Sequence, residues 1–268
     1  MSAGGAAPGD VSASDVSADA GPAPHNLPMT RRTIGEPLPL EFAPVTSRLP
    51  ERIVLMRPTD GAGPFDDPGY FFEPWWPGIR AIVLVEGGAV RLRAEALGDP
   101  TGAFPELAEV AGLVRADGVV LDATLMVLDA RGRPSRTLLE RRLRGEPVGV
   151  RPTSGGPGMS RGAAALVASD LLYLEGESLA SRPFGERRGE LAALLRPSSW
   201  CLAGRGFIGD GTTVATALGA LGFRALSARR LDAPVRPGPA HDAWYRVPVV
   251  AAPRELPPFL AVLRRLPF

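Results

Sequence analysis

Residues 118–129 read GVVLDATLMVLD, an almost continuous apolar run, and the turn-forming residues ARGRP follow it. A short apolar run that ends in a turn favours a buried β-strand. Upstream, residues 79–92, IRAIVLVEGGAVRL, hold two β-branched runs on either side of a Gly-Gly dipeptide, which predicts a β-hairpin. This part of the chain is therefore predicted to form neighbouring antiparallel strands.

Outward from this stretch, strands and helices do not alternate regularly, so the predicted fold class is α+β, with mainly antiparallel sheets flanked by helices. Further strands are predicted in YFFEPWW, AAALVASDLLYLEG, WCLAG, FRALSARRL and AWYRVPVV. Helices are predicted in PELAEVAGLVRA, SRTLLERRL, FGERRGELAALL, TTVATALGALG and PPFLAVLRRLPF. In FGERRGELAALL one apolar stripe holds Phe184, Leu191, Leu194 and Leu195.

The domain organisation follows from a change in composition along the chain. Residues 1–28 are small, polar and interrupted by Pro and Gly, so they cannot bury enough apolar surface to offset the entropy of ordering. We expect a disordered tail and linker over residues 1–45, a folded domain over 46–250 and a short helix or extension over 251–268.

Composition excludes several classes of protein. The 268 residues are 45% hydrophobic, with 29 acidic residues, 30 arginines and no lysine, so the net charge of +1 gives no strong attraction to nucleic acid or membrane. The single cysteine excludes an intramolecular disulfide and a multi-cysteine metal site. No apolar run is long enough to span a membrane and no signal peptide is recognisable, so a cytoplasmic protein is expected.

Six segments of the sequence indicate the function. They are EPWWPGIR (73–80), FPELAE (104–109), VVLDATLMVLDARGRPS (119–135), SDLLYLEG (169–176), GFRALSARRLDAPVRPG (222–238) and AWYRVP (243–248). In this order they resemble the motifs of the adenylation domain of ATP-dependent DNA ligases, especially the bacterial end-joining type. The resemblance covers roughly residues 50–248 and implies a DNA-ligase-like adenylation domain.

The clearest departure from the family falls on its nucleophile. The resemblance implies a lysine that attacks the α-phosphate of ATP, but Trp75 occupies that slot and Pro77 replaces an aspartate two residues later. Arginine could not take over this role, because it stays protonated. Trp75 has no nucleophilic atom, so no catalytic residue is expected. A sharper hypothesis is that Trp75 plugs the nucleotide pocket.

Other departures concern the metal, the ribose and the phosphates. The resemblance implies ATP and Mg²⁺ as cofactors, but Thr124 and Arg224 occupy acidic positions of the family, so no metal site and no cofactor are expected. The ribose-contacting arginine falls near Glu95, and the adenine-stacking phenylalanine falls on Ser169. The two phosphate-binding lysines fall on Arg246 and Pro248.

Several family positions are retained. Glu73, Arg80 and Arg246 are the candidate residual nucleotide contacts, and the alternative for Glu73 and Arg80 is a strand-end polar pair that organises the fold. Trp75 and Trp76, with Phe71 and Phe72, are alternatively core aromatics. The remaining matches are Trp76, Gly78, Asp122, Arg230, Pro237, Gly238 and Trp244.

The resulting hypothesis is a catalytically inactive, ligase-like binding or scaffold protein, whose partners are DNA-repair proteins or DNA and not a membrane. The alternative is a divergent ligase or nucleotidyltransferase component that is active with a partner. The residues after Val247 are too few for the oligonucleotide-binding-fold domain of the family, and none is expected.

Three other interpretations of the sequence remain open. GRGFIGDG, residues 204–211, contains G-x-G-x-x-G with Asp232 about 20 positions on, which is the spacing of a dinucleotide site. A hydrolase would use His241, but no G-x-S-x-G elbow is present. Finally, the arginines of SARRL and ERRLRG are either phosphate contacts or solvated faces.

Overall fold

The computed structural model describes residues 48–265, except 54, 96, 149–150 and 153–159. The tail and linker predicted over residues 1–45 lie outside the described residues. The strands are β1 Met56–Arg57, β2 Thr59–Asp60, β3 Asp67–Pro74, β4 Ile79–Glu86, β5 Ala89–Arg93, β6 Val119–Val127, β7 Arg151–Pro152, β8 Ser160–Arg161, β9 Ala164–Leu174, β10 Glu177–Ser178, β11 Cys201–Ala203, β12 Phe207–Gly209, β13 Ala225–Arg230, β14 Gly238–Pro239 and β15 Trp244–Pro248.

The helices are α1 Arg136–Leu143, α2 Phe184–Leu194, α3 Gly211–Leu221 and α4 Phe259–Arg265. Two 3-10 helices, Thr101–Ala103 and Pro105–Gly112, precede β6. The helix predicted from Pro105 is thus a 3-10 helix, whereas α1 to α4 confirm the other predicted helices. Among the described residues, no helix is long and apolar enough to cross a membrane.

Two sheets form the frame. The larger one has the order β10-β9-β6-β4-β5 with β11 beside β9, and the second has the order β12-β3-β13-β15-β2. Most pairs are antiparallel; β11 with β9, β15 with β2 and β1 with β14 are parallel. The predicted α+β class with mainly antiparallel sheets is confirmed.

The hairpin predicted at Gly87 and Gly88 joins β4 and β5, and both glycines have positive φ, 59° and 73°. A two-residue turn with positive φ at both positions matches the right-handed twist of the flanking strands, which explains why glycine stands at both. The hairpin and the central apolar strand β6 were therefore correctly predicted.

Two apolar cores position the sheets. One face of the larger sheet packs against α1, α2 and the 3-10 helix Pro105–Gly112. A second core joins β3, β13 and β15 to α3, α4 and the ends of β6 and β9. Two smaller apolar clusters, one around Leu84 and Leu172 and one around Met56 and Trp244, cover part of the opposite faces of the sheets.

Gly78 lies where the chain passes from β3 in the second sheet to β4 in the larger one. A Cβ atom there would come within 2.3 Å of the Leu125 carbonyl oxygen and 2.7 Å of Thr124 Cγ2. Such an approach requires glycine, because backbone atoms cannot move aside cheaply.

We expect Gly78→Ala to lower the free energy of unfolding by about 1–3 kcal/mol, the usual cost of overpacking. Gly189→Ala is the matched control, since a Cβ at Gly189 in α2 would meet nothing within 4 Å. That control should raise stability by about 0.5–1 kcal/mol, because alanine is the better helix former. Urea unfolding of both variants measures the difference, and equal effects would contradict the close approach at Gly78.

Candidate functional site

A cleft of about 360 Å³ opens between the two sheets. Its walls include Glu73 at the end of β3, Arg80 on β4, Thr124 on β6, Ser227 on β13 and Trp244 on β15. Side chains alternate between the faces of a strand, so the register decides which of them meet here. Ser227 lies opposite both Glu73 and Arg246, which places these polar residues on one face of the second sheet.

Trp75 forms part of the cleft wall. Its ring centroid lies 6.3 Å from that of Trp244, and the Arg246 guanidinium carbon lies 5.5 Å from its centroid. Trp75 is half-buried, whereas Trp76 and Phe72 are buried in the second core. Trp75 thus lies in the wall of a cleft that is open beside it, and the hypothesis that this ring plugs the nucleotide pocket stays a prediction.

Trp244 is the most connected aromatic residue of the cleft. Its Nε1 donates to Ser227 Oγ at 2.9 Å, and the guanidinium carbons of Arg80 and Arg229 lie 5.1 and 4.2 Å from its ring centroid. Because the polar edge and the ring are both engaged, the orientation of Trp244 is fixed.

Arg80 is bound to Asp122 and not to Glu73. Its Nε and Nη2 donate to the two carboxylate oxygens of Asp122 at 2.8 and 2.5 Å, a bidentate geometry, and Nη1 donates to the Met56 carbonyl. The strand-end polar pair offered as the alternative for Glu73 and Arg80 is therefore not an ion pair between the two, although Arg80 does join β4 to β6 and β1. Both residues nevertheless line the same cleft.

Glu73 is only 5% exposed, and burial raises its pKa to about 7, although Arg188 and Arg229 favour its charged form. Gly204 packs directly against this carboxyl, since a Cβ there would come within 2.6 Å of Glu73 Oε2. A carboxyl that is protonated near neutral pH can donate as well as accept a hydrogen bond.

Protein stability should therefore fall as pH rises from about 4.5 to about 7. In that window the unfolded chain ionises at Glu73 and the folded protein does not, so the unfolded state gains up to about 3 kcal/mol. Above the folded pKa both states are charged and the loss is complete. Glu73→Gln should remove this slope, which urea unfolding at several pH values would measure. A variant with the same slope as the parent would contradict the assignment.

A buried charge cluster lies behind the cleft. Arg187 donates from Nε and Nη2 to the two oxygens of Asp170 at 2.9 and 2.8 Å, and Arg229 Nη2 lies 3.0 Å from Asp170 Oδ2. Asp170 and Arg187 are fully buried and Arg229 is 1% exposed. The arginines of SARRL were predicted to contact phosphate or solvent, and for Arg229 both alternatives were wrong.

Comparison with known proteins shows which proteins this chain resembles in sequence and fold. The chain is 30% identical over 175 residues to the multifunctional non-homologous end joining DNA repair protein LigD of Mycobacterium tuberculosis, covering 65% of this chain and 21% of that protein. It is 33% identical over 173 residues to a probable DNA ligase of Anaeromyxobacter, covering 63% of this chain and 32% of that protein. The structure of mycobacterial DNA ligase D complexed with ATP and MES matches with a TM-score of 0.57 and 27% identity, over 73% of this chain and 60% of that one. The chain is a relative of the ATP-dependent DNA ligases of the end-joining type.

The relationship covers part of each relative. The chain spans about one fifth to one third of the length of these curated relatives. The ligase domain of LigD from M. tuberculosis also has a TM-score of 0.57, at 27% identity over 72% of this chain and 58% of that chain. No protein-family model matches the chain.

Some of the positions at which this chain departs from the ligase motifs line the cleft, and others do not. Thr124, Ser169 and Glu95 line it, and Glu95 forms an ion pair with Arg57. Arg224 is exposed and is not among the described residues of the cleft wall. Within the described part of the chain, no group of three or more metal-ligating side chains is present.

The dinucleotide alternative does not fit the ligase-like fold. GRGFIGDG connects β11 to β12 and then to α3, and the Asp66 carboxylate already accepts from the Thr212 backbone N–H at 2.8 Å at the start of α3. Asp232 instead accepts from Arg230 Nε at 2.6 Å. Both observations favour a structural role for this glycine-rich segment.

Sequence reasoning also missed what holds the arginines of ERRLRG. Arg142 is 9% exposed and donates to Glu106 and to the Ala103 carbonyl, while Arg141 and Arg144 both donate to Glu146. His241, the one residue offered for a hydrolase, is exposed, and its carbonyl accepts from Thr59 Oγ1 at 3.0 Å. The contacts of these arginines and of His241 therefore favour structural roles.

Proposed function

We propose that this chain is a ligase-like adenylation domain that does not form a covalent adenylate and that serves as a cytoplasmic binding or scaffold protein in DNA end joining. The observation that carries the proposal is the absence of lysine from all 268 residues, with Trp75 in the slot of the nucleophile. DNA and DNA-repair proteins are the proposed partners, in line with the relatives named above.

Among the described residues of the cleft wall, no amine and no thiol replaces the lysine. Arginine stays protonated at any pH at which the protein is folded, and the indole of Trp75 carries no nucleophilic atom. The one cysteine, Cys201, is buried in the core of the larger sheet, and burial raises the pKa of its thiol to about 12. A thiolate at neutral pH is therefore disfavoured as well.

The residues of the cleft do not fit Mg²⁺. This ion prefers carboxylate oxygens, but Asp122 already accepts two charged hydrogen bonds from Arg80, and burial raises the pKa of Glu73 to about 7, which disfavours its charged form. Thr124 offers only a neutral hydroxyl. At the two positions where the family has phosphate-binding lysines, Arg246 is the one remaining cation. The proposed role does not require ATP.

A second candidate is a divergent ligase component that acts with a partner supplying the missing groups. It is favoured by the open cleft, which retains Glu73, Arg80 and Trp244 on its walls. The two candidates differ in one respect that can be tested: the second requires catalysis when the partner is present.

A nick-sealing assay tests the proposal. The purified chain with a nicked duplex, ATP and Mg²⁺ should give no sealed product, while the mycobacterial LigD serves as the positive control. A gel-shift titration with the same duplex then measures binding. Sealing by the chain alone would overturn the proposal, and sealing that appears only with a purified end-joining partner would favour the second candidate.

A further inference from the structure

A second cavity of about 730 Å³ lies next to the cleft. Its described walls come from Arg52, Ile53, Leu55 and Arg57 around β1 and from the β4–β5 hairpin with the turn that follows it. Arg57 and Glu95, which form an ion pair, line both this cavity and the cleft. The ion pair thus marks the boundary between the two spaces.

The described walls of this cavity are mostly apolar and its rim is cationic. Ile53, Leu55, Ile82 and Ala94 supply the apolar surface. Ile82 and Ala94 are buried, whereas Ile53 and Leu55 are half-buried, so the last two present hydrocarbon to the opening. The rim carries the three guanidinium groups of Arg52, Arg57 and Arg93.

The rim carries three guanidinium groups and two carboxylates, so cationic N–H donors are in excess. One oxygen of each carboxylate is already engaged, since Glu95 Oε1 accepts from Arg57 and Asp99 Oδ1 accepts from the backbone N–H and the hydroxyl of Thr101. Arg93 uses Nη1 for the Glu51 carbonyl, which leaves its other N–H groups. Arg52 is exposed, and none of the described residues accepts a hydrogen bond from it.

We propose that this cavity is a binding site for a small amphiphilic anion, with an aromatic or aliphatic body and a carboxylate or sulfonate group. The apolar walls bury the body, and Arg52 and Arg93 bind the anionic group through charged hydrogen bonds. The volume lies within the range of roughly 300–1,000 Å³ that is typical of small-molecule sites. The site does not require the nucleophile slot, and of the described residues it shares only Arg57 and Glu95 with the cleft.

Fluorescence titration with anilinonaphthalene sulfonate, an aromatic anion, tests the site. The folded protein should bind the dye at one saturable site. Replacing both Arg52 and Arg93 with glutamate should raise the dissociation constant roughly tenfold or more, which is about 1.4 kcal/mol. Arg115→Glu makes the same kind of charge change at an exposed position outside the cavity and should leave the dissociation constant within about twofold.

Two further variants separate this cavity from its surroundings. Ile53→Asp places a carboxylate in the apolar wall and should also weaken binding, whereas Trp75→Ala alters only the neighbouring cleft and should not. Far-UV circular dichroism and a cooperative urea unfolding transition confirm that each variant is folded, since removal of Trp75 itself changes the near-UV spectrum. Absence of saturable binding, or loss of binding in Trp75→Ala with none in the arginine and Ile53 variants, would overturn the proposal.

Discussion

Asp170→Asn should lower the free energy of unfolding by about 3–5 kcal/mol, the largest effect expected of any single polar replacement in this protein. Asp170 is the one described carboxylate within ion-pair distance of Arg187 and Arg229, and all three residues are buried. Asparagine retains the shape of the side chain but removes its charge, so two guanidinium groups are left in a medium of low dielectric constant without their counter-ion. Urea unfolding of the variant measures the loss.

Asp232→Asn is the matched control. Asp232 also pairs with an arginine, Arg230, but its side chain is 75% exposed, so water screens the pair. The control should change stability by no more than about 1 kcal/mol. If both variants lost the same amount of stability, the buried cluster would not be the determinant of stability that its contacts indicate.

Trp244→Ala should cost a comparable amount, about 3–5 kcal/mol, because it removes a buried indole from the cleft wall. It also removes the hydrogen bond to Ser227 and the aromatic surface on which Arg229 stacks. Trp75→Ala is the control: the same change on the opposite side of the pair, at a half-buried ring, should cost roughly half as much or less. A larger loss of stability in Trp75→Ala than in Trp244→Ala would contradict the assignment of Trp244 as the residue whose orientation is fixed by its contacts.

The elements of the fold were predictable because they rest on local patterns. The apolar run that became β6, the Gly87-Gly88 turn and the apolar stripe of α2 each follow from residues that are neighbours in sequence. The 3-10 form of Pro105–Gly112 was not predictable, since its apolar spacing suits an α-helix equally well.

The partners of charged side chains were not predictable in the same way. Arg80 meets Asp122 across adjacent strands, and Asp170 meets Arg187 and Arg229 from two other elements. Nothing in the sequence around Arg229 distinguishes it from Arg230, yet one is buried and the other reaches Asp232 and Asp242 at the surface. Burial of an arginine depends on tertiary packing, which no local pattern reports.

The position of the family nucleophile combines a feature that the sequence predicts with one that only the structure gives. Its assignment to Trp75 rests on the resemblance of EPWWPGIR to the ligase motif, whereas the position of that ring depends on its tilt against Trp244 and on its contact with Arg246. The structure shows a wall residue beside an open cleft. An open cleft in a chain without lysine is compatible with binding and incompatible with lysine-based covalent chemistry.

The central claim is that this chain cannot form a covalent adenylate, and incubation of the purified protein with α-labelled ATP and Mg²⁺ tests it most directly. After denaturing electrophoresis no label should remain on the protein, while the mycobacterial LigD in the parallel reaction should carry label that acid releases. Acid-labile AMP attached to this chain would contradict the account.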